Sequence, residues 1–342
     1  CCTSTWEEGT DGDEPAPRRA HSELSGGTPN LGRMTLTAET GTQETDQSPA
    51  RTSAADSAPR RPSLSPSRAA DFKSCPLLYR FRTIDRLPEK KSRAAVRGTL
   101  VHTVLEKLYD LPAAERTVAA AQTLVAPAWD ELREEPGVAE LFEAPEGEQA
   151  ESLEAWLASA GQLVETYFRL EDPTRIQPHG REELVEVTLP DGLLLRGYVD
   201  RLDVARNGAL RVVDYKTGGM PRETFEAKAL FQMKFYALVL WRTRGVVAAQ
   251  LKLLYLKDGD ALTYAPDEAE LLRFERTLQA IWAAIERAVA TGDFRANKSR
   301  LCSWCDHQAL CPAFGGTPPP FPADAAAAAG WRTTLPLTAA TD

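Results

Sequence analysis

The order of local signals predicts an α/β fold, with one sheet packed by helices. Three observations carry this. Apolar residues recur at helical spacing through residues 64–170. Residues 182–218 are β-rich, with period-two features between turn-forming residues. The chain then returns to helix, strand and helix.

Taken in order, residues 1–62 are rich in Gly, Ser, Thr, Pro, Ala and acids, with Trp6 the only aromatic. Such a segment cannot bury enough surface to offset its ordering entropy, so disorder is expected there. The chain starts at Cys1 and Met34 opens a more ordinary beginning, so residues 1–33 are read as an upstream mis-start or a fragment scar, with no function expected for Cys1 or Cys2. Order is expected from Leu64, with Ser65 as N-cap and Pro66 at the first helical position. A second helix follows from about Gly98, and residues 112–170 read as further helices interrupted by an acidic Pro/Gly stretch at 136–147. The segments EELVEVTLP, LLLRGYVDRLDVA and ALRVVDYKTG read as strands. A helix over Phe225–Trp241, a strand near QLKLLYLKDG and a long helix over Pro266–Ala290 complete the pattern. The Pro- and Ala-rich tail, 315–342, is expected to be unstructured.

Composition narrows the function classes. Hydrophobic residues make up 43%, enough for a sizeable core, so a wholly disordered chain is excluded. No apolar run reaches the length of a membrane span, and there is no signal-peptide pattern, so a cytoplasmic protein is expected. The net charge is −9, yet residues 60–97 hold eleven bases against Asp71, Asp85 and Glu89. A polyanion could dock on that segment; a solvated helix face is the alternative. Residues 130–155 are the reverse, with ten acids and only Arg133.

The segments GYVDRLD and VVDYKTG are the most informative. Asp214 and Lys216 lie two apart in a strand and so share a face. Whether Asp200 joins them depends on hairpin register. A two-residue Asn207-Gly208 loop would pair Asp200 with Tyr215; a three-residue Arg206-Asn207-Gly208 loop would pair it with Asp214. Gly208 suits the left-handed position of the three-residue loop, so that register is expected. Two close carboxylates repel unless a cation sits between them, and hard oxygen ligands suit Mg²⁺ or Mn²⁺. A surface Asp-x-Lys salt bridge is the alternative. His102 on its helix, and Gln232 with Tyr236 one turn apart on theirs, are either packing residues or parts of the same site.

Together these pieces resemble the RecB-family exonucleases of the PD-(D/E)XK superfamily, which include the nuclease domain of AddB and the CRISPR-associated iron–sulfur exonucleases. The resemblance rests on G-x-x-x-H (Gly98–His102), G-Y-V-D-R-L-D (Gly197–Asp203), D-Y-K-T-G (Asp214–Gly218) and Q-x-x-x-Y (Gln232–Tyr236), in the family's order, over residues 63–314. It implies a restriction-endonuclease-like core: a central mixed sheet flanked by helices, with a helical insertion and iron–sulfur-stapled termini. It also implies that His102, Asp200 and Asp214 bind the metal with the Tyr215 carbonyl, that Lys216 is the catalytic lysine, and that Gln232 and Tyr236 support it. Val199 stands where the superfamily name has proline, and Asp214 where glutamate is commoner. The implied activity is metal-dependent exonucleolytic hydrolysis of DNA, on single strands, in repair or recombination. The chain has no P-loop, so any helicase would be a separate polypeptide.

Cys302-x2-Cys305-x5-Cys311 is a metal signature that lacks one ligand. Cys75 or the nearby His307 could complete it, and four thiolates suit Zn²⁺ or a [4Fe–4S] cluster alike. Resemblance favours the cluster, held by Cys75, Cys302, Cys305 and Cys311 and fastening the first helix to the last segment. Two other function classes remain: a non-catalytic DNA-binding or adaptor module that keeps the nuclease fold, and a zinc-stabilised interaction scaffold using the acidic 130–155 segment.

Overall fold

A computed structural model describes residues 61–143, 151–220 and 223–336. The expected disorder of 1–60, Cys1 and Cys2, and residues 337–342 of the tail lie outside the described residues.

The helices are α1 (Pro66–Ser74), α2 (Pro76–Tyr79, continued as a π-helical turn over Arg80–Ile84), α3 (Arg93–Leu108), α4 (Val118–Thr123), α5 (Val125–Leu132), α6 (Glu140–Glu143), α7 (Leu153–Leu170), α8 (Glu223–Arg244), α9 (Glu268–Thr291) and α10 (Ala323–Ala328). The strands are β1 (Gly180–Thr188), β2 (Leu194–Val204), β3 (Leu210–Lys216), β4 (Gln250–Tyr255) and β5 (Asp260–Tyr264). They form one sheet in the order β1-β2-β3-β4-β5, antiparallel except for the β3–β4 pair, which α8 connects in parallel. This is a central mixed sheet flanked by helices. Strand β5 was not anticipated: it is short and follows the turn at Lys257–Gly259 directly, so its period-two signal is weak.

Period-two alternation sends β3 and β4 into two cores. Val212, Leu251 and Leu253 pack on one side with α1, α8 and α9. Val213, Tyr215 and Leu254 pack on the other with α3, α5 and α7. In the second core Trp129, Phe142 and Trp156 meet edge-to-face, with centroids 4.9–5.2 Å apart.

Local chemistry sets the entrances to these elements. Ser65 caps α1, accepting from the Arg68 N–H at 3.3 Å, with Pro66 in the first helical position. Leu64 bridges to Leu195, extending the sheet along the part of β2 that β3 does not cover. Asn207 and Gly208 form the β2–β3 turn. The Ala205 N–H bonds the Ala209 carbonyl, and the register Val204↔Leu210 through Arg201↔Val213 is the three-residue one, with Gly208 at φ +82°.

Two expectations are corrected. Residues 315–336 are not a loose tail. Phe321 stacks on Phe294 at 5.9 Å, Trp331 packs on Trp282 at 4.9 Å, and the Pro319 carbonyl accepts from Arg80 at 2.6 Å. The second concerns the basic stretch 60–97, part of which is tied up internally. Arg82 is paired with Asp71 and Glu89, Lys91 with Glu135, and Arg80 with Asp85, while Arg93 bonds the carbonyls of Leu141 and Glu151. Tyr79 and Phe81 are buried, and Trp304 is exposed.

Candidate active site

Strand β3 presents Asp214 and Lys216 toward α8. The Lys216 ammonium forms an ion pair with Asp214 Oδ2 at 2.6 Å and donates to Gln232 Oε1 at 3.0 Å. The Gln232 amide donates in turn to Asp214 Oδ1 at 2.9 Å and to the Tyr236 hydroxyl at 3.2 Å. Gln232 and Tyr236 are therefore parts of the polar site, not only packing. Their i, i+4 spacing on α8 stacks them over the end of β3. Tyr236 in turn requires Gly197: a Cβ there would stand 2.8 Å from the Tyr236 ring. Burial pushes the Tyr236 phenol upward, so it stays protonated and able to donate.

On the α3 side, His102 Nε2–H donates to the Tyr215 carbonyl at 2.9 Å, and the Tyr215 N–H donates to Asp200 Oδ2 at 2.8 Å. His102 Nδ1 lies 3.5 Å from Asp200 Oδ2 and 3.8 Å from Glu182 Oε1. Burial and the neighbouring Asp214 charge push the Asp200 carboxyl up to about 7. Burial alone would lower His102, but the facing Glu182 carboxylate and the charges of Asp200 and Asp214 hold it up at about 9.

The expected metal trio was His102, Asp200 and Asp214. Among the described residues, the group whose donor atoms all lie within 4.8 Å of one another is instead His102, Glu182 and Asp200. The Asp214 carboxylate is turned to Lys216 and Gln232. Sequence reasoning missed Glu182. The β1–β2 turn carried part of the signal, the register. The Leu189 N–H bonds the Leu193 carbonyl around Pro190-Asp191-Gly192, with Gly192 at φ +89°, and that register puts Glu182 opposite Asp200.

Arg201 was also missed. It is fully buried and reaches Glu171 (2.8 Å), Asp203 (3.0 Å) and the Tyr215 hydroxyl (2.9 Å), with Tyr109 and Tyr167 beside it. Anchoring the Tyr215 ring from behind holds its backbone N–H and carbonyl where Asp200 and His102 meet them.

A groove of about 980 Å³ opens in front of Lys216, lined among others by Ser65, Arg68, Arg196, Tyr198, Gln232 and Tyr236. Tyr198 is 54% exposed there.

The cysteines lie away from these carboxylates. Cys75, Cys302, Cys305 and Cys311 are free thiols lining one cavity of about 260 Å³. Backbone N–H groups of Asn297 and Ser299 point at the sulfurs of Cys75 (3.4 Å) and Cys302 (3.3 Å). Burial raises the Cys305 thiol, and the charges of Cys302, Cys75 and Cys311 add to it. His307 is buried and turns Nε2 to Glu89 at 3.1 Å.

The family model of the PD-(D/E)XK nuclease superfamily matches residues 63–312. The chain belongs to that superfamily. The matched residues span the sheet, both helical layers and the cysteine segment of this PD-(D/E)XK protein. The "Gene 69 protein" of Mycobacterium phage D29 is 26% identical over 292 residues, covering 74% of this chain and 97% of the phage protein. That of Mycobacterium phage L5 is 26% identical over 291 residues, with the same coverage. The crystal structure of a candidate exonuclease from Eubacterium rectale aligns with a TM-score of 0.48 at 14% identity, covering 72% of this chain and 87% of that one. No described helix is long and apolar enough to cross a membrane.

Proposed function

We propose that this nuclease-superfamily chain is a RecB-like, Mg²⁺- or Mn²⁺-dependent exonuclease that hydrolyses single-stranded DNA in repair or recombination. The observation that carries the reading is the Lys216 ammonium, held by Asp214 and Gln232 beside a cluster of imidazole and carboxylate donors. That cluster fits a divalent ion. Asp200 is buried next to other carboxylates, and the resulting repulsion is what a cation relieves.

Within this reading His102, Asp200, the Tyr215 carbonyl and Asp214 are the residues toward the metal. A bound divalent ion supplies Lewis acidity at the scissile phosphate and a water of lowered pKa. The remaining work belongs to the chain. Lys216 donates to the attacking water or to the phosphoryl oxygens as charge accumulates on them. Gln232 fixes the ammonium and the Asp214 carboxylate relative to each other, and Tyr236 braces Gln232. The groove receives the strand, with Arg68 and Arg196 near phosphates and the exposed Tyr198 as a stacking platform for a base. Stacking needs an unpaired base, which favours a single strand. A helicase on a separate polypeptide would supply such strands.

The reading extends to the cysteines. Cys75, Cys302, Cys305 and Cys311 are proposed to hold a [4Fe–4S] cluster that ties the α1–α2 junction to the C-terminal segment. Four thiolates suit zinc or a cluster alike, and the resemblance to iron–sulfur nucleases favours the cluster. N–H···S contacts of the kind made to Cys75 and Cys302 are the outer-shell support a cluster uses. Cys75→Ala is expected to remove the visible iron–sulfur absorption and lower the melting temperature. Full iron content with an unchanged melting temperature would remove Cys75 from the ligand set, and zinc in place of iron in the purified protein would replace the cluster with the alternative metal.

The activity itself is tested with end-labelled single-stranded DNA of both polarities, incubated with Mg²⁺ or Mn²⁺. Wild type is expected to release label progressively from an end and Asp214→Ala to release none. Equal digestion by the variant would exclude the assigned site.

A further inference from the structure

Strands β1 and β2 each turn over at one point, and the two points face each other. On β1, Arg181 reaches α3, bonding the Glu106 carbonyl and, at 2.7 Å, the Asp110 carboxylate. Glu183, two residues on, bonds Arg244 of α8 at 3.0 Å. Regular pleating keeps residues two apart on one face. The strand therefore reverses its facing at Glu182, whose φ is +43°. On β2, Val199 belongs to the core on the α8 side, while Arg201 sits among Tyr109, Tyr167 and Tyr215 on the α3 side. That reversal falls at Asp200. The register Arg181↔Arg201 and Glu183↔Val199 places the two reversals opposite each other. Both are acids, and both meet His102.

A left-handed conformation at a non-glycine residue is unfavourable and persists where the surroundings impose it. Here it brings a third charged donor within 4.8 Å of two others. Among the described residues Glu182 pairs with His102, itself one of the donors. Asp214 Oδ1 accepts from Gln232, while its buried Oδ2 makes an ion pair with Lys216 but accepts no hydrogen bond, which leaves it able to face a cation too.

We infer that Glu182 is a direct ligand of the divalent cation, making a three-donor set with His102 and Asp200. The inference rests on the proposed nuclease reading and adds a donor to it, with Asp214 kept toward the metal. Strand β1 then joins the site as a third strand. One imidazole with two carboxylates also suits Mn²⁺ better than Mg²⁺, which prefers oxygen donors and retains its waters.

The test is Mn²⁺ titration of the full chain without DNA, following free Mn²⁺ by electron paramagnetic resonance. Melting curves confirm that each variant is folded. Glu182→Gln, which keeps the side chain's shape, is expected to weaken Mn²⁺ binding roughly tenfold or more. Asp200→Asn should weaken it at least as much, and Glu186→Gln, an acid further along β1, should leave it unchanged. In a His102→Ala background, Glu182→Gln should still lower affinity, because a ligand acts on the ion and not through the imidazole. Wild-type affinity in Glu182→Gln alongside loss in Asp200→Asn would overturn the inference and leave the metal site standing. So would the absence of any additional loss in the His102→Ala background. Unchanged binding in Asp200→Asn would overturn the site and the inference together.

Discussion

Asp200 and His102 share a pocket in which protons and a cation compete. Asp200 is pushed up to about 7, first by burial and then by Asp214, so it carries a proton below that pH. His102 is held at about 9 by the surrounding carboxylates, so it too must release a proton before its nitrogen can ligate. Both effects have the same sign. Mn²⁺ affinity is expected to climb as pH rises from 6 to 8, by roughly tenfold per pH unit for each proton displaced. Calorimetric Mn²⁺ titrations at pH 6, 7 and 8 check this; an affinity that does not change over that range would contradict the carboxylate–imidazole assignment. At this scale much of the site was legible. The motifs carried Asp200, Asp214, Lys216, Gln232 and Tyr236, and the glycine in the β2–β3 turn gave the register. Glu182 was hidden because period two puts it in an ordinary strand. Only the reversal of facing at φ +43°, a three-dimensional event, turns it to His102.

Among the elements, the polar layer behind β2 and β3 is the most exacting. Arg201 lies fully buried between Glu171 and Asp203, and Lys252 adds a second cation to Glu171 at 2.7 Å. Burial alone would raise the Glu171 carboxyl, but Arg201 and Lys252 more than offset that and bring it down to about 2 from an ordinary 4.5. A lowered folded-state pKa stabilises the fold above the unfolded value, and that stabilisation is lost as pH falls from about 4.5 to about 2. Linkage puts the amount on the order of 3 kcal/mol. Urea denaturation of wild type at pH 7 and pH 3 is expected to show part of this loss, about 2 kcal/mol, and Glu171→Gln should show a smaller difference between the two pH values. An equal pH-dependent loss in both proteins would separate the stability change from Glu171. The long periodic helices were readable because each carries an apolar stripe. The C-terminal segment was not. Phe321 and Trp331 are isolated apolar residues in a Pro/Ala background, and only docking on Phe294 and Trp282 gives them an ordered place.

For the whole molecule, charge is used locally. The net charge of −9 and the basic 60–97 segment pointed in opposite directions. The fold ties up part of that segment, with Arg80, Arg82 and Lys91 in ion pairs and Arg93 and Arg97 in hydrogen bonds, which composition cannot reveal. The cations left beside the groove are few: Arg68, Arg196 and Lys216. Strand binding by so few charges is expected to weaken with salt, but with a shallow slope of two to three ions, on the order of −0.7 per phosphate contact for single strands. Fluorescence anisotropy of a labelled oligonucleotide across a salt series measures that slope, and a slope several-fold steeper would mean that the strand follows another surface.

The most direct measurement is single-turnover cleavage of end-labelled single-stranded DNA in Mn²⁺ by wild type and by Lys216→Ala, with Mn²⁺ binding measured on the same samples. The ammonium should matter to the chemistry and not to the ion. Lys216→Ala is therefore expected to bind Mn²⁺ like wild type and to cleave about 100- to 1,000-fold more slowly. Cleavage at the wild-type rate by a folded, Mn²⁺-loaded Lys216→Ala protein would contradict the account.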